Sequence, residues 1–344
     1  MDEKISRFHD LQNIVLIGGG DLMAASVQLF KEKKFSLSVI VAPRHIDETL
    51  PLNNCSLRQY LTNLEVPFHV VEDINQLANE QYKAVIPTSS IAICFGPAWI
   101  FKEQLINRFS LGMYNINAIP IPHYLGGAHY TWQLLNNNRE GGCFFQEITI
   151  QLDQGDILDQ YNFSLTSQAN TPNDYFIENI NQGLVFINKI ADKFISGDQF
   201  KHTPYQQINE DRIYLPRLRT DKQGFINWQW TAQDIIKFAQ GFDEPYLGAG
   251  TFINQQLVRF KGASEIKIAE VMHPFTTGLI IRKTSSAFIV SAPQGFIQVE
   301  QILNEQGQCI KNQLKEGMRF HTPIKVLDDA LSYQAIITAD GFKN

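Results

Sequence analysis

The sequence predicts an α/β chain: a Rossmann-like, mostly parallel sheet followed by a small, OB-like β-barrel. Three observations carry this. The apolar runs NIVLI (13–17), SLSVIVAP (36–43), VPFHVV (66–71) and KAVIP with IAICF (83–95) alternate with segments of helical apolar spacing such as LMAASVQLFKEK (22–33). Strands that are apolar at nearly every position are buried on both faces, which requires helices above and below a parallel sheet. From residue 250 the pattern changes to short β-like runs divided by turn signals, as in a small barrel. The length, 344 residues, suits two domains at roughly 150 residues each. We place them at 1–206 and 207–344, with the polar, aperiodic segment 197–213 as the link.

The first strand ends in Gly18-Gly19-Gly20, and Asp21 is placed to cap the helix that follows. GGGDLM does not match GxGxxG, because Leu22 and Met23 fill its last two positions. The second strand ends in Ala42-Pro43-Arg44, with no acid for a ribose. The glycines therefore read as a tight strand-to-helix turn and not as a nicotinamide site. MYNIN (113–117) reads as a strand end, Pro120 and Pro122 force an extended loop, Gly126 and Gly127 break it, and AHYTWQLL (128–135) reads as a helix. CFFQEITIQLD (143–153) alternates and forms a hairpin with DILDQYNFSL (156–165) through a Gln-Gly turn. Thr171-Pro172-Asn173-Asp174 opens a long helix, with Thr as cap, Pro at the first helical position and Asp in the first turn. Its apolar set, from Phe176 to Phe194, keeps helical period to about residue 195. Thr231 and Asp234 repeat the capping pattern before IIKFAQGF. GTFIN, QQLVRF, EIKIAEV, GLIIRK, AFIVSA and GFIQVEQIL then follow as strands.

Hydrophobic residues make up 44% and charged residues 19%, ordinary globular usage that excludes a disordered or fibrous chain. No run nears the ~18 apolar residues of a membrane helix, and MDEKISRFHD lacks the apolar core of a signal peptide. Cys55, Cys94, Cys143 and Cys309 form no CxxC pair. Cys94 and Cys143 read as small core residues, and a reducing cytoplasm is the expected compartment. The net charge of −6 argues against a protein that grips nucleic acid through a basic surface. The charge is uneven: residues 211–344 carry +2 and the first 210 residues −8.

YNINAIPIPHYLGGAHYTW (114–132), followed by LDQGDIL (152–158), resembles the folate-dependent formyltransferase superfamily. Its members include methionyl-tRNA formyltransferases, sugar-nucleotide N-formyltransferases and the formyltransferase part of lipid A-modifying enzymes. The family pattern is Asn-x-His-x-Ser-Leu-Leu-Pro, a basic Gly-containing loop, then Leu-Asp-x-Gly-x-Ile/Val-Leu. ICFGPAWIFKEQLIN (93–107), YLPRLRTDKQGFINW (214–228) and TAQDIIKFAQGFDEPYLGAGTF (231–252) are also similar to the family, so the resemblance spans roughly 13–303.

The resemblance implies that a formyl group passes from N10-formyltetrahydrofolate, as co-substrate, to an amine. It implies that Asn115 hydrogen-bonds the developing oxyanion and that Asp153 helps remove the amine proton. The family's His position holds Asn117 here, whose amide can donate a hydrogen bond but does not titrate near neutrality. Ile119-Pro120-Ile121-Pro122 replaces Ser-Leu-Leu-Pro, and Leu125 replaces the basic residue. His129, at the start of the helix after the Gly pair, is the candidate substitute base, with His123 behind it. Its place at a helix N-terminus lowers its pKa. For the co-substrate the resemblance implies Phe95, Gly96, Pro97, Ile121, Pro122, Gly126, Gly127, Leu152 and Gly155, although Phe95-Gly96-Pro97 reads equally as a core strand end. Asp156 and Asp159 show no His or Cys partner, and the histidines show no HxH or HExxH spacing, so no metal is expected. Trp228 and Trp230 are expected at the interdomain surface.

Three functions follow. The first is an enzyme acting on a small amine, such as a nucleotide-linked amino sugar, and the charge balance favours it. The second is a catalytically impaired homologue that binds a ligand or partner protein, separated from the first by Asn117. The third is a methionyl-tRNA formyltransferase, which needs a basic channel for phosphates. No membrane partner is expected; homodimers are frequent among sugar-modifying relatives, and the resemblance allows one here.

Overall fold

The computed structural model describes residues 4–77, 79–120, 123–207, 212–335, 337–338 and 341–342. The chain packs as two compact units. One comprises the residues through His123 with Glu140–Ser164 and Asn179–Ile213; the other comprises Tyr124–Arg139, Leu165–Glu178 and the chain from Tyr214 onward. The second unit thus takes two segments that precede the expected join at 206/207.

The first unit is built on a seven-stranded sheet. Its strands are β1 (Asn13–Gly18), β2 (Ser36–Val41), β3 (Phe68–Val70), β4 (Ser90–Phe95), β5 (Met113–Asn117), β6 (Glu140–Glu147) and β7 (Ile157–Ser164), in the order β7-β6-β5-β4-β1-β2-β3. The five strands from β5 to β3 are parallel, and β6 runs antiparallel to both β5 and β7. Alternate residues of β1 feed opposite faces. Ile14 and Leu16 join a core with Met23, Val27 and Phe30 of the helix Gly20–Glu32 (α1), while Val15 and Ile17 join one with Tyr82 and Val85. All four β1 side chains are fully buried, which is why the run reads as continuously apolar.

The three glycines make a turn. Gly18 has φ +131°, and a Cβ on it would lie 2.0 Å from the Phe95 carbonyl oxygen, so β1 and β4 approach too closely for any side chain there. Asp21 does not cap α1. Gly19 is the N-cap, and the Asp21 carboxylate accepts from the Leu52 backbone N–H at 3.0 Å. KAVIP is not a strand: the helix Asn79–Val85 (α2) covers most of it, with Tyr82 and Val85 one turn apart on the second core.

The long helix Pro172–Ser196 (α3) forms as its N-terminal signal predicts. The Asp174 N–H donates to Thr171 Oγ1 at 3.1 Å, and the Asp174 carboxylate accepts from the Asn170 and Thr171 N–H groups. Its residues Phe186, Ile187, Ile190 and Phe194 complete the first core, where Phe145 meets the rings of Tyr114, Phe194 and Phe200. Phe145 is fully buried among these rings. A Phe145→Ala variant is expected to lose about 3–5 kcal/mol of stability, read as a fall in the urea midpoint at unchanged slope.

The second unit contains the helix Ala232–Gly241 (α4) and a six-stranded antiparallel, barrel-like sheet. Its strands are β8 (Ala249–Ile253), β9 (Gln256–Glu265), β10 (Ile280–Lys283), β11 (Phe288–Ala292), β12 (Gly295–Leu303) and β13 (Phe320–His321), in the order β10-β11-β12-β9-β8-β13. Thr231 caps α4, accepting from the Asp234 N–H at 3.2 Å. EIKIAEV is not a separate strand: β9 ends at Glu265, and Ile266–Glu270 is irregular. Trp228 is a core residue and not a surface clamp. It is 8% exposed, stacks on Phe320, and donates Nε1–H to Thr251 Oγ1 at 2.8 Å. Trp230 packs on the same core. Among the described residues no helix is long and apolar enough to cross a membrane.

Candidate active site

The parallel strands β4 and β5 end side by side, at the carboxyl edge where open α/β sheets form binding crevices. Side chains alternate along a strand, so β5 presents Asn115 and Asn117 on one face, both half-buried. Among the described residues no hydrogen bond engages either amide. Across the antiparallel pair, Gln146 lies opposite Asn115 and Phe144 opposite Asn117.

The hairpin is folded back over this edge. The sequence reading ran β6 to Asp153, but the strand stops at Glu147. A bulge at Phe145/Gln146 breaks the register, and the turn that follows is pressed against the strand end. A Cβ on Gly155 would lie 1.9 Å from the Glu147 carbonyl oxygen, so only glycine fits. Gln146, 3% exposed, donates Nε2–H to the carbonyls of Asp153 (3.2 Å) and Gly155 (2.9 Å). Asp153 itself takes the left-handed conformation, φ +55°, which Asp tolerates better than bulkier residues.

The result is a cleft of about 260 Å³. Its floor and one wall carry Asn115, Gln146 and Glu147; the others are Pro97 to Phe101 and the hairpin segment 148–153. Trp99 is pinned by its indole N–H donating to the Glu72 carbonyl at 2.8 Å. Ile100 is 71% exposed, and Ile150 and Leu152 are each 65% exposed, so the cleft is rimmed by apolar side chains that the fold itself does not bury. The structure thus brings Asn115, Asp153, Pro97 and Leu152 to one cleft. Asn117 and Gly155 are close in sequence to lining residues but do not line it. Phe95 is a core residue, and Gly96, at φ +51°, turns the chain from β4 into the wall. Ile121 and Pro122 lie outside the described residues.

Gly126, Gly127 and His129 belong to the second unit. The glycines there allow a close approach: a Cβ on Gly126 would lie 2.2 Å from the Leu215 carbonyl oxygen, and Gly127 N–H donates to that oxygen at 3.1 Å. His129 starts the helix His129–Leu135, and its Nε2 is buried with no hydrogen-bond partner among the described residues. Its pKa is pushed down to about 4 by burial, and secondarily by the nearby Arg217 cation. The direction agrees with the sequence expectation, but burial and not the helix terminus is the main cause. His123 lines a separate depression of the first unit with Pro120, Glu140 and Asn162.

The His129 shift has a consequence for stability. A histidine whose folded pKa lies below its unfolded value binds fewer protons when folded, so stability falls as pH drops from about 6.5 toward 4. We expect the wild type to lose on the order of 3 kcal/mol over that interval through this residue. His129→Phe, which keeps a ring but cannot titrate, should flatten that part of the urea-midpoint profile.

Asp153 is exposed as a residue, yet it lines the cleft, and lost hydration of its carboxyl group raises its pKa from the ordinary aspartate value. A more basic carboxylate in a cleft is suited to taking a proton. The hairpin acids also have a partner that spacing did not reveal: the His202 Nδ1 lies 3.3 Å from Asp156 and 3.8 Å from Glu147. Asp159 pairs instead with Lys189 and Lys193. Sequence reasoning also missed Gln146. Its signal was a lone amide inside the apolar run CFFQE, at a strand position that faces buried surroundings.

Residues 219–314 match the family model "Formyl transferase, C-terminal domain". The chain is 24% identical over 255 residues to a methionyl-tRNA formyltransferase of Clostridium tetani, covering 73% of this chain and 77% of that protein. Its fold resembles the crystal structure of WlaRD, a sugar 3N-formyl transferase, in the presence of dTDP and 5-N-formyl-THF, with a TM-score of 0.60 and 19% identity over 86% of this chain and 99% of that one. It also resembles an N-formyltransferase from Helicobacter canadensis in complex with folinic acid and dTDP-3-aminofucose, with a TM-score of 0.58 and 18% identity over 85% and 99% of the two chains.

Proposed function

Because the chain belongs to the formyltransferase superfamily, we propose that it transfers a formyl group from N10-formyltetrahydrofolate to the amine of a small acceptor, a nucleotide-linked amino sugar being the class favoured. The observation that carries this is the placing of Asn115 and Asp153 on one cleft at the carboxyl edge of β5. The lining supports a site for the flat head of a folate: apolar Trp99, Ile100, Ile150 and Leu152 line the cleft together with polar Asn115 and Gln146. Pro97 and Leu152 would hold that head.

When bound, the folate supplies the formyl carbon and departs as tetrahydrofolate. Asn115, whose amide no hydrogen bond engages among the described residues, donates a hydrogen bond to the carbonyl oxygen as charge builds there during attack by the amine. Asp153, made more basic by lost hydration, accepts the proton that the amine nitrogen sheds as its new C–N bond forms, and that proton passes to the folate nitrogen N10 as the C–N10 bond breaks. Gln146 fixes the backbone of Asp153 and so holds its carboxylate in place. Asn117, next to the cleft but not lining it, puts a neutral amide where the family has an imidazole, so proton transfer rests on Asp153. His129, neutral at pH 7, is a weak base at a pKa of about 4. His129→Ala with unchanged turnover and binding removes it from the mechanism.

The acidic first 210 residues, at −8, support a small acceptor over tRNA. The sequence relative in Clostridium tetani supports the tRNA reading, which predicts salt-dependent tRNA binding; its absence at low salt rejects that reading. The deciding experiment mixes purified protein, N10-formyltetrahydrofolate and a panel of amines, nucleotide-linked amino sugars included, and follows tetrahydrofolate release by absorbance. No release with any amine, together with no folate binding by calorimetry, sinks the enzyme reading. Binding without release favours the ligand-binding homologue. In an active enzyme, Asn117→His is expected to raise kcat by at least ~10-fold, since general acid–base assistance is worth ~10²–10⁴.

A further inference from the structure

We infer that Lys4 and His202 are positioning residues, forming a clamp that holds the hairpin carrying Asp153 against the floor carrying Asn115. The link to catalysis rests on the function proposed above; the clamp itself rests on contacts within the first unit. The short strands Ile5–Ser6 and Phe200–Lys201 pair antiparallel. The chain beyond them reaches the hairpin: Thr203 and Ile157 exchange backbone hydrogen bonds at 2.8 and 2.9 Å, and the His202 N–H donates to the Lys4 carbonyl at 3.0 Å.

From this ribbon two side chains close on the hairpin's two ends. The Lys4 ammonium lies 2.6 Å from Glu147 and 3.5 Å from Asp156. The imidazole of His202, its side chain 1% exposed, faces Asp156 with Nδ1 at 3.3 Å, while Nε2 meets Ser6 Oγ at 2.8 Å. Glu147 ends β6 and Asp156 immediately precedes β7, so together they bracket the segment 148–155 that includes Asp153. Glu147 lines the cleft. The backbone beneath closes the same gap, with Glu147 N–H donating to the Asp156 carbonyl at 2.9 Å.

Glu147, Asp156 and His202 offer ligand atoms within 4.8 Å of one another, which is metal-like spacing. Lys4 already supplies a cation between the two carboxylates, so the arrangement is complete as a clamp without an ion. Two carboxylates this close repel one another; the ammonium and the imidazole N–H relieve that repulsion only while the hairpin ends stay together. The fixed Asp153 geometry is the consequence.

Hydrogen exchange on the full-length protein tests this without turnover. Lys4→Met should speed amide exchange across 147–156 by about tenfold while β8 and β9 stay unchanged, and Lys4→Arg should return it to within about twofold of wild type. His202→Phe, which keeps the packing volume, should speed the same window. Unchanged exchange at 147–156 in Lys4→Met overturns the proposal. So does exchange raised equally in β1, or a Lys4→Arg that behaves like Lys4→Met. In an enzyme that turns over, Lys4→Met should lower kcat about tenfold with KM for the amine little changed. Wild type without any formyl transfer would remove the function proposed above and leave the exchange result to decide the clamp.

Discussion

Asp153→Asn is expected to lower kcat/KM for formyl transfer by ~10²–10⁴-fold, the range for loss of a general base. The substitution keeps the size of the side chain, and the hydrogen bonds from Gln146 go to backbone carbonyls, so the hairpin should stand. Under the proposed function, what is lost is the proton acceptor. The pH profile supplies the sign. Only the carboxylate accepts a proton, so kcat/KM in the wild type rises with pH through the Asp153 pKa and levels off above it. Lost hydration in the cleft raises that pKa, which sets the midpoint of the acidic limb above the ordinary aspartate value. In Asp153→Asn the limb should disappear along with most of the rate. An acidic limb that survives unchanged in the variant assigns the proton transfer to another group.

Asn115→Ala is the second large effect, with an expected loss of ~10²–10³ in kcat, as for removal of one oxyanion donor. The reasoning is geometric. The half-buried Asn115 lines the cleft, and no hydrogen bond engages its amide among the described residues, so under the proposed function its donor is open to what enters the cleft. Because the interaction strengthens only as charge develops on the carbonyl oxygen, KM should move little. A variant that weakens folate binding and turnover equally would make Asn115 a binding residue only. Asn117 gives a useful contrast: it shares the β5 face but does not line the cleft, so Asn117→Ala should cost far less than Asn115→Ala.

Much of this site could be read in the chain before any coordinates, and the reasons are local. The resemblance to the family's Asn motif and Leu-Asp-x-Gly motif singles out Asn115 and Asp153, and the Gln-Gly turn that follows Asp153 is visible in the sequence. The capping of α3 by Thr171 and Asp174 involves atoms within four residues, and the structure has it. What failed to show depended on distance along the chain. KAVIP has strand-like composition, and its packing against a core layer made it helical. Trp228 looks like a surface aromatic until Phe320, 92 positions later, arrives to stack on it. Asp156 seemed to have no histidine because His202 is 46 residues away.

The sequence by itself determined most of the element types, the parallel sheet with its antiparallel extension and the barrel-like second part, and its family motif pointed to the two polar residues of the cleft. Each follows from periodicity, turn chemistry or a motif that operates over a few residues. Only the tertiary structure decided that Gln146 ties down Asp153, that Lys4 and His202 bracket the same hairpin, and that the two compact units exchange segments across the expected join. The physical reason is the same throughout. Hydrogen bonds and ion pairs between distant segments depend on which strands become neighbours, and strand order is set by burying both faces of the sheet at once, a property of the whole unit and not of any short stretch of it.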